Sequence, residues 1–345
     1  WAHLNQDWQQ ELAPHYEEAR RMLGISDNPY RGIQDEWLQK AAEKMGVADT
    51  FGSVPQGIFF GNPNKISPDP FFSGNGPDRQ GCTQCGRCFT GCTIGAKNSL
   101  DKNYLYFAEK KGVEILPERK VTHVEPASDG GYWLHLQHPW DSNITYAPMR
   151  ARQVILSAGA LGSQEIMFAS RDRYRTLPNV STMLGKRVRT NSEALVGIMA
   201  RDPDVDVTKG ASISTHFYAD EETHLTQNRL PPSYGMMKFY MVPMVDDPQP
   251  LRRALRTLLA YFTQPIDALH VYFARNWYKR TTYLTVMQAA DNELDFCYGR
   301  TIFRGFRYGL RSRLGKGGRT PSFLPQANAA ARAVAEVSGG IPQNM

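Results

Sequence analysis

The sequence predicts a mixed α/β fold with α+β character, on three observations. Two helix-period patterns open the chain within residues 10–45. A β-branched run, a glycine-rich turn and a helical run follow one another over residues 153–170. Beyond residue 189, four runs have the length and the β-branched or aromatic content of strands. With 345 residues, 41% of them hydrophobic, the chain can fill a sizeable core and make two domains. An aromatic content of 11% excludes global disorder.

The first helix is expected over Gln10–Leu23, where Leu12, Tyr16, Ala19 and Leu23 recur at helical spacing and Gly24 stops the run. The second is expected over Asp35–Met45, with Asp35 as N-cap and Gly46 after its end. Residues 51–81 are rich in Gly, Pro and Asn and read as long irregular structure. Such a loop is either a ligand-facing lid or a segment held by a satellite apolar cluster, here Phe59, Phe60, Phe71 and Phe72.

Four of the five cysteines then fall within eleven residues: Cys82, Cys85, Cys88 and Cys92, spaced C-x2-C-x2-C-x3-C. Thiolates this close on a tight turn can converge on one metal ion or one cluster edge. The spacing matches the bacterial ferredoxin run, although Thr93 stands where that run has proline. An iron–sulfur cluster, a tetrahedral zinc ion, disulfides and four reduced thiols are all open readings. A helix over Ser99–Lys111 follows, closed by Gly112.

Short strands are expected over Val113–Leu116 and Val121–Glu125. The turn Asp129-Gly130-Gly131 leads into a strand in which Tyr132, Leu134 and Leu136 alternate. Gln153–Ser157 reads as an apolar strand, Ala158–Ser163 as a glycine turn and Gln164–Ser170 as a helix. A helix start offers free N–H groups, and a turn bare of side chains lets a phosphate or ribose come close. The turn is not G-x-G-x-x-G, and no strand of this chain is followed by that fingerprint.

Further strands are expected over Thr190–Met199, Ala211–Tyr218, Met236–Met244 and Thr281–Gln288. The segment Leu251–Phe262 reads as an amphipathic helix with Arg252, Arg253 and Arg256 beside its apolar stripe. Such a helix either packs on its own domain or lies on a membrane surface. The net charge of +6 is uneven: residues 251–319 carry thirteen Lys/Arg against four Asp/Glu, leaving the rest net acidic. No nucleic-acid motif accompanies this excess, so nucleic acid is not an expected partner. No run of eighteen apolar residues occurs, so no membrane-spanning helix is expected. Five cysteines, four of them clustered, are not a secreted disulfide framework, so a cytoplasmic, reducing location is expected, with peripheral membrane association open.

Other chemistry-bearing residues have plain readings. His216 and His224, with Glu221 and Glu222, lack the H-E-x-x-H spacing and are expected to be structural or exposed. Asn191 and Glu193 cap or turn the chain, while Lys97 and Asn98 at a helix entrance either cap it or orient a ligand. No G-x-S-x-G elbow and no P-loop occur.

Three segments carry a family resemblance: GCTQCGRCFTGCTIGAKNSLDKNYLYFAEKKG, QVILSAGALGSQEIMFASR and LPNVSTMLGKRVRTNSEALVG. On these the chain resembles the glucose–methanol–choline (GMC) oxidoreductases, most closely their bacterial cholesterol-oxidase-like branch. The resemblance implies part of an FAD-binding lobe around a parallel sheet, and a substrate lobe with an antiparallel sheet. It divides the chain into a helical and loop segment covering the flavin (1–112), part of the FAD-binding domain (113–190) and a substrate-binding domain (191–345). It implies that Val121 offers its backbone to the adenine end of FAD, and that Ala158, Gly159, Gly162 and Ser163 line the ADP portion. Some relatives carry an iron–sulfur cluster in a cysteine-rich loop, which would make Cys82, Cys85, Cys88 and Cys92 ligands. The expected reaction is oxidation of an alcohol, a sterol or another bulky apolar one. A histidine acts as base, a hydride passes to flavin N5, and oxygen, a quinone or a redox protein accepts the electrons. The glycine fingerprint and the catalytic histidine have no counterpart in this sequence. It is therefore expected to be an inactive internal piece, and no catalytic residue is assigned.

Overall fold

The computed structural model describes residues 3–5, 7–290, 292–302, 305–315 and 321–345. Two compact units form. The first comprises Trp1–Val113, Asn191–Ala290 and Pro321–Met345, and the second Glu114–Thr190 and Asp291–Thr320. The helices are α1 (Trp8–Met22), α2 (Ile33–Lys44), α3 (Tyr104–Lys110), α4 (Gly159–Phe168), α5 (Pro250–Thr263), α6 (Pro265–Phe273), α7 (Trp277–Arg280) and α8 (Pro325–Ser338). The strands are β1 (Gly52–Ser53), β2 (Ile66–Ser67), β3 (Arg79–Gln80), β4 (Lys120–Pro126), β5 (Tyr132–Gln137), β6 (Thr145–Ala151) and β7 (Ala194–Ala200). They continue as β8 (Ile213–Tyr218), β9 (Thr223–Asn228), β10 (Val242–Pro243), β11 (Thr281–Gln288), β12 (Leu294–Arg300), β13 (Tyr308–Leu314) and β14 (Gly340–Asn344).

The first unit is built on a seven-stranded sheet in the order β1-β8-β9-β11-β7-β14-β10, with every pairing antiparallel. Alternation along its central strands gives it two apolar faces. Val196 and Ile198 of β7, with Leu284 and Val286 of β11, pack against Trp37, Leu38 and Ala41 of α2 and the alanine-rich face of α8. Met199 and Tyr283, one residue out of phase, join Trp277 and Val271 in a second cluster. The two-residue strands β1 and β10 end the sheet, leaving little edge open to pairing.

Asp35 was expected as the N-cap of α2, but Gly32 holds that position. Asp35 sits one turn in, reaches back to accept from the Gly32 N–H at 2.8 Å, and pairs with Arg229 at full burial. Its oxygens also accept from the hydroxyls of Ser214 and Thr215. Met236–Met244 is not a strand; a 3₁₀ run, Pro232–Phe239, precedes the short β10. Pro232 at its start presets the helical turn and removes a ladder donor. The helix expected over Ser99–Lys111 is interrupted at Asn103, whose side chain caps α3 by accepting from the Tyr104 N–H at 2.6 Å. Within residues 51–81 an aromatic chain does the packing: Phe59 meets Phe71 at 5.8 Å and buried Phe72 meets Phe107 at 4.9 Å.

The second unit holds the antiparallel meander β4-β5-β6, helix α4 and the hairpin β12-β13. A single π-helical turn, Ala169–Arg173, extends α4. Its Ser170 Oγ accepts from the Val124 N–H at 3.0 Å, and Thr176 Oγ1 donates to the Val124 carbonyl at 2.6 Å, so β4 is latched to the end of α4. The hairpin returns to this unit through Lys186–Asp295 at 2.7 Å and a backbone bridge between Val188 and Leu294. The chain therefore folds 1–113 together with 191–290 and 321–345, and 291–320 together with 114–190, where the resemblance implies three consecutive segments.

The parallel sheet implied by the resemblance does not form among the described residues. Val113–Leu116 and Gln153–Ser157, expected as strands, are irregular and largely exposed, Ile155 at 89%. Among the described residues neither has a strand beside it to satisfy its backbone groups, and an apolar run alone does not make a strand.

Candidate cofactor site

The second unit contains a cavity of about 860 Å³, within the range of cofactor pockets. One wall comes from β4 and the residues before it: Arg119, Lys120, Val121 and Thr122. The pairing of β4 with β5 slips between Val121 and His123, a bulge that re-aims side chains at the cavity rim. The second wall is the start of α4 and the turn after it, with Ala158, Gly162, Glu165, Arg173 and Tyr174. The third is the hairpin, with Tyr298, Arg300, Arg307 and Tyr308.

The lining is cationic and aromatic. Among the described residues, Arg119, Lys120, Arg173, Arg300 and Arg307 face it against one carboxylate, that of Glu165. The guanidiniums are oriented by rings: Arg119 lies 3.6 Å from the Tyr146 centroid, Arg173 5.0 Å and Arg300 4.9 Å from that of Tyr308. Tyr298 and Tyr308 stack at 5.6 Å. Burial raises the pKa of Tyr298 despite the opposing pull of Arg173, so its hydroxyl stays protonated at neutral pH. Such a lining suits a ligand that carries phosphate and a planar ring.

The turn that enters α4 is bare. Gly159 has φ +71, and a Cβ added there would meet nothing within 4 Å. At Gly162 a Cβ would come within 2.9 Å of the Ala158 Cβ, so glycine allows the turn to close on itself. Ser163 Oγ accepts from the Ala158 N–H at 3.1 Å and fixes that closure. Of the sequence-predicted residues, Val121, Ala158 and Gly162 line the cavity. Gly159 and Ser163 shape the turn without lining it. Sequence reasoning missed Arg173, Arg300 and Tyr308, because the hairpin that brings two of them comes back from more than a hundred residues away.

Beside the cavity, His123, Glu125 and His135 bring ligand atoms within 4.8 Å of one another. His135 Nε2 lies 2.8 Å from Glu125, but the two imidazoles are stacked face to face at 3.9 Å, with Tyr174 stacked on His123 at 3.7 Å. The lone pairs of stacked rings lie in parallel planes and do not point at one common ion, so the group packs as a polar stack. Burial first, then His135, lowers the pKa of His123 to about 4.

In the first unit the four clustered cysteines line one small pocket with Ile58, Ala96 and Gly210, and all are free thiols, which removes the disulfide reading. Three of them, Cys82, Cys88 and Cys92, pack on Ile58, Ala96 and Ala211. The loop is stitched to residues 210–212: the Gly210 N–H donates to Gln84 O, the Gly86 N–H to Gly210 O and Ser212 Oγ to Gly86 O. No three of the four sulfurs approach within 4.8 Å, whereas a tetrahedral zinc site sets them ~3.8 Å apart. Burial raises the Cys82 pKa. Burial acts the same way on Cys92, but the N–H groups of Lys97, Ile94, Ala96 and Gly95 outweigh it and hold that thiol below its ordinary value.

The remaining candidates are structural. Asn98 donates to the carbonyls of Leu23 and Gly24, and Lys97, which also lines the cysteine pocket, to that of Cys88. Asn191 donates to Glu193 at 3.0 Å. His216 and His224 hydrogen-bond each other at 3.0 Å across β8 and β9, and burial lowers both pKa values.

The GMC oxidoreductase family model matches residues 75–172, a stretch that holds the cysteine loop, β4 and α4. A cholesterol oxidase of Acinetobacter baumannii is 38% identical over 346 residues, covering 97% of this chain and 62% of that protein. A cholesterol oxidase of Mycobacterium tuberculosis (strain CDC 1551 / Oshkosh) is 35% identical over 364 residues, covering 99% of this chain and 60% of that protein. The chain therefore spans about three fifths of the length of these relatives. It belongs to the GMC oxidoreductase family, in the cholesterol-oxidase-like branch.

Proposed function

We propose that the natural protein containing this chain is an FAD-dependent oxidoreductase of alcohols, and that the cavity of the second unit takes the ADP half of the flavin. The observation that carries this reading is the juxtaposition of five cationic side chains with the bare turn at Ala158–Ser163. A dinucleotide brings a diphosphate and an adenine. The arginines offer the phosphates charge-assisted hydrogen bonds, the N-terminal turn of α4 offers unpaired N–H groups, and the tyrosines offer rings. Val121, Ala158 and Gly162 would hold the nucleotide by close backbone approach, with Gly159 and Ser163 shaping the turn. When bound, FAD supplies the hydride-accepting chemistry that amino-acid side chains lack. This chain's own residues position it: the Ser163–Ala158 hydrogen bond keeps the turn closed, and the ring-supported guanidiniums hold fixed positions.

The names of the relatives support a sterol, or an alcohol of similar bulk, as substrate and oxygen as acceptor. The test is an absorption spectrum of the natural protein. Two visible flavin bands that bleach when a 3-hydroxysterol is added without oxygen, with hydrogen peroxide released in air, are the expected result. A spectrum without flavin bands would overturn the reading. The four sulfurs lining one pocket favour one further role, as ligands of an iron–sulfur cluster by Cys82, Cys85, Cys88 and Cys92. Iron and acid-labile sulfide in anaerobically purified protein, lost in a Cys85→Ser/Cys88→Ser variant, would establish it. Their absence would leave four thiols.

A further inference from the structure

Helix α5 turns its leucine stripe outward. Leu251, Leu255, Leu258, Leu259 and Phe262 recur at helical spacing and all are exposed, Leu251 and Phe262 at 83%. The face that packs inward carries Arg253, Thr257, Ala260 and Tyr261 instead. A surface helix of a globular unit ordinarily does the reverse. Helix α6 repeats the inversion: Ile266, Leu269 and Phe273 are exposed, while Asp267, Ala268 and Val271 face inward. The 3₁₀ run Pro232–Phe239 packs on α6, its Phe239 ring 6.0 Å from that of Tyr272, and adds exposed Met236. Three adjoining elements of one unit therefore show their large apolar side chains to solvent, more than a scatter of single residues.

The charges around these side chains are mostly positive. Residues 234–280 hold seven Lys/Arg against three Asp/Glu. Arg252 and Arg256 lie along one flank of the α5 stripe, half exposed, and the buried carboxylate of Asp247 holds them there at 3.5 and 3.2 Å. Lys238 is fixed beside Phe239 and donates to the Tyr272 carbonyl at 3.3 Å. An apolar stripe rimmed by cations is complementary to acyl chains below anionic headgroups. A second copy of the chain would set two basic rims against each other. At 14 and 9 residues, α5 and α6 are too short to cross a bilayer, so they would lie in its interface.

We propose that α5, α6 and the Pro232–Phe239 run form a face that docks on an anionic lipid bilayer. This inference does not depend on alcohol oxidation, because lipid binding is read without turnover.

The experiment is co-sedimentation of the natural protein with vesicles of phosphatidylcholine alone or mixed with phosphatidylglycerol. The wild type is expected to bind the mixed vesicles better, and less so at high salt. Leu255→Ser/Leu258→Ser/Phe262→Ser is expected to weaken binding roughly tenfold or more. Arg252→Gln/Arg256→Gln should remove most of the preference for the anionic lipid. A single Leu255→Ser variant reads the same effect at smaller size, keeping the test independent of how the triple variant folds. Wild type left in the supernatant with mixed vesicles, or apolar variants that bind as wild type does, would overturn the proposal. So would a dimer, seen by light scattering, that the triple variant splits while neither protein binds vesicles, because the face would then belong to a second copy.

Discussion

Arg229 and Asp35 form an ion pair in which both side chains are fully buried, one on the segment after β9 and the other in the first turn of α2. Arg229 also donates to the Ala211 carbonyl at 3.0 Å, and its guanidinium lies where a Cβ on Gly210 would be, 2.6 Å away. The pair therefore ties α2 to the segment that carries the cysteine loop. Removing one partner leaves the other charged and buried, so Asp35→Ala and Arg229→Met should each cost about 3–5 kcal/mol. The double variant Asp35→Leu/Arg229→Met should cost less than either single change. Urea unfolding measures all three; single variants within about 1 kcal/mol of wild type would contradict the assignment.

Gly159 and Gly162 should respond differently to a methyl group. Gly159→Ala meets open space but must hold φ +71, so it should lower stability by about 1 kcal/mol and leave nucleotide affinity nearly unchanged. Gly162→Ala pushes on Ala158, which lines the cavity, and should weaken ADP binding to flavin-stripped protein by roughly tenfold. Calorimetry separates the two; equal affinities for both variants would count against the turn as part of the site.

The stability of the second unit should fall in mild acid. His123 has a folded pKa of about 4 against an ordinary 6.5, and it faces Glu125, His135, Arg173 and Tyr174. Between those values the unfolded chain binds the proton and the folded chain does not, so stability rises with pH across that window. It is therefore lost as pH drops from 6.5 toward 4. His123→Phe keeps a ring in the stack and removes the proton. Comparing urea midpoints at pH 7 and 4.5, the variant should show a smaller drop than wild type; the same drop in both would contradict this.

The cysteines should not react alike. In metal-free protein near neutral pH, Cys92 should be alkylated by iodoacetamide ahead of Cys82, because backbone N–H groups stabilise its thiolate while burial disfavours that of Cys82. Peptide mass spectrometry after short exposures gives the order, and labelling of Cys82 first would contradict it.

Much of this was legible locally. Thr281–Gln288 has strand composition throughout and forms β11 over those same residues. Asp129-Gly130-Gly131 turns β4 into β5 because both glycines adopt positive φ. What escaped depends on residues far away. Gln153–Ser157 has strand composition but no strand beside it among the described residues, so its composition was not enough. β6 was hidden by Pro148, tolerated because among the described residues this strand pairs on one side only. Asp35 reads locally as a cap, and only Arg229, 194 residues on, explains its burial. For Leu251–Phe262 the helix was legible but the direction of its stripe was not, since periodicity names a face without saying what it meets. At the cavity, the β4 and α4 walls could be read from sequence, whereas the arginine and tyrosine wall of the β12-β13 hairpin could not.

The most direct measurement is a competition experiment on flavin-stripped natural protein, titrated with FAD, with FMN and with FAD in excess ADP. If the cavity holds the ADP half of the cofactor, FAD binds at least tenfold more tightly than FMN, ADP displaces it, and Arg173→Gln weakens both FAD and ADP. Equal affinity for FMN and FAD, with no displacement by ADP, would contradict the site.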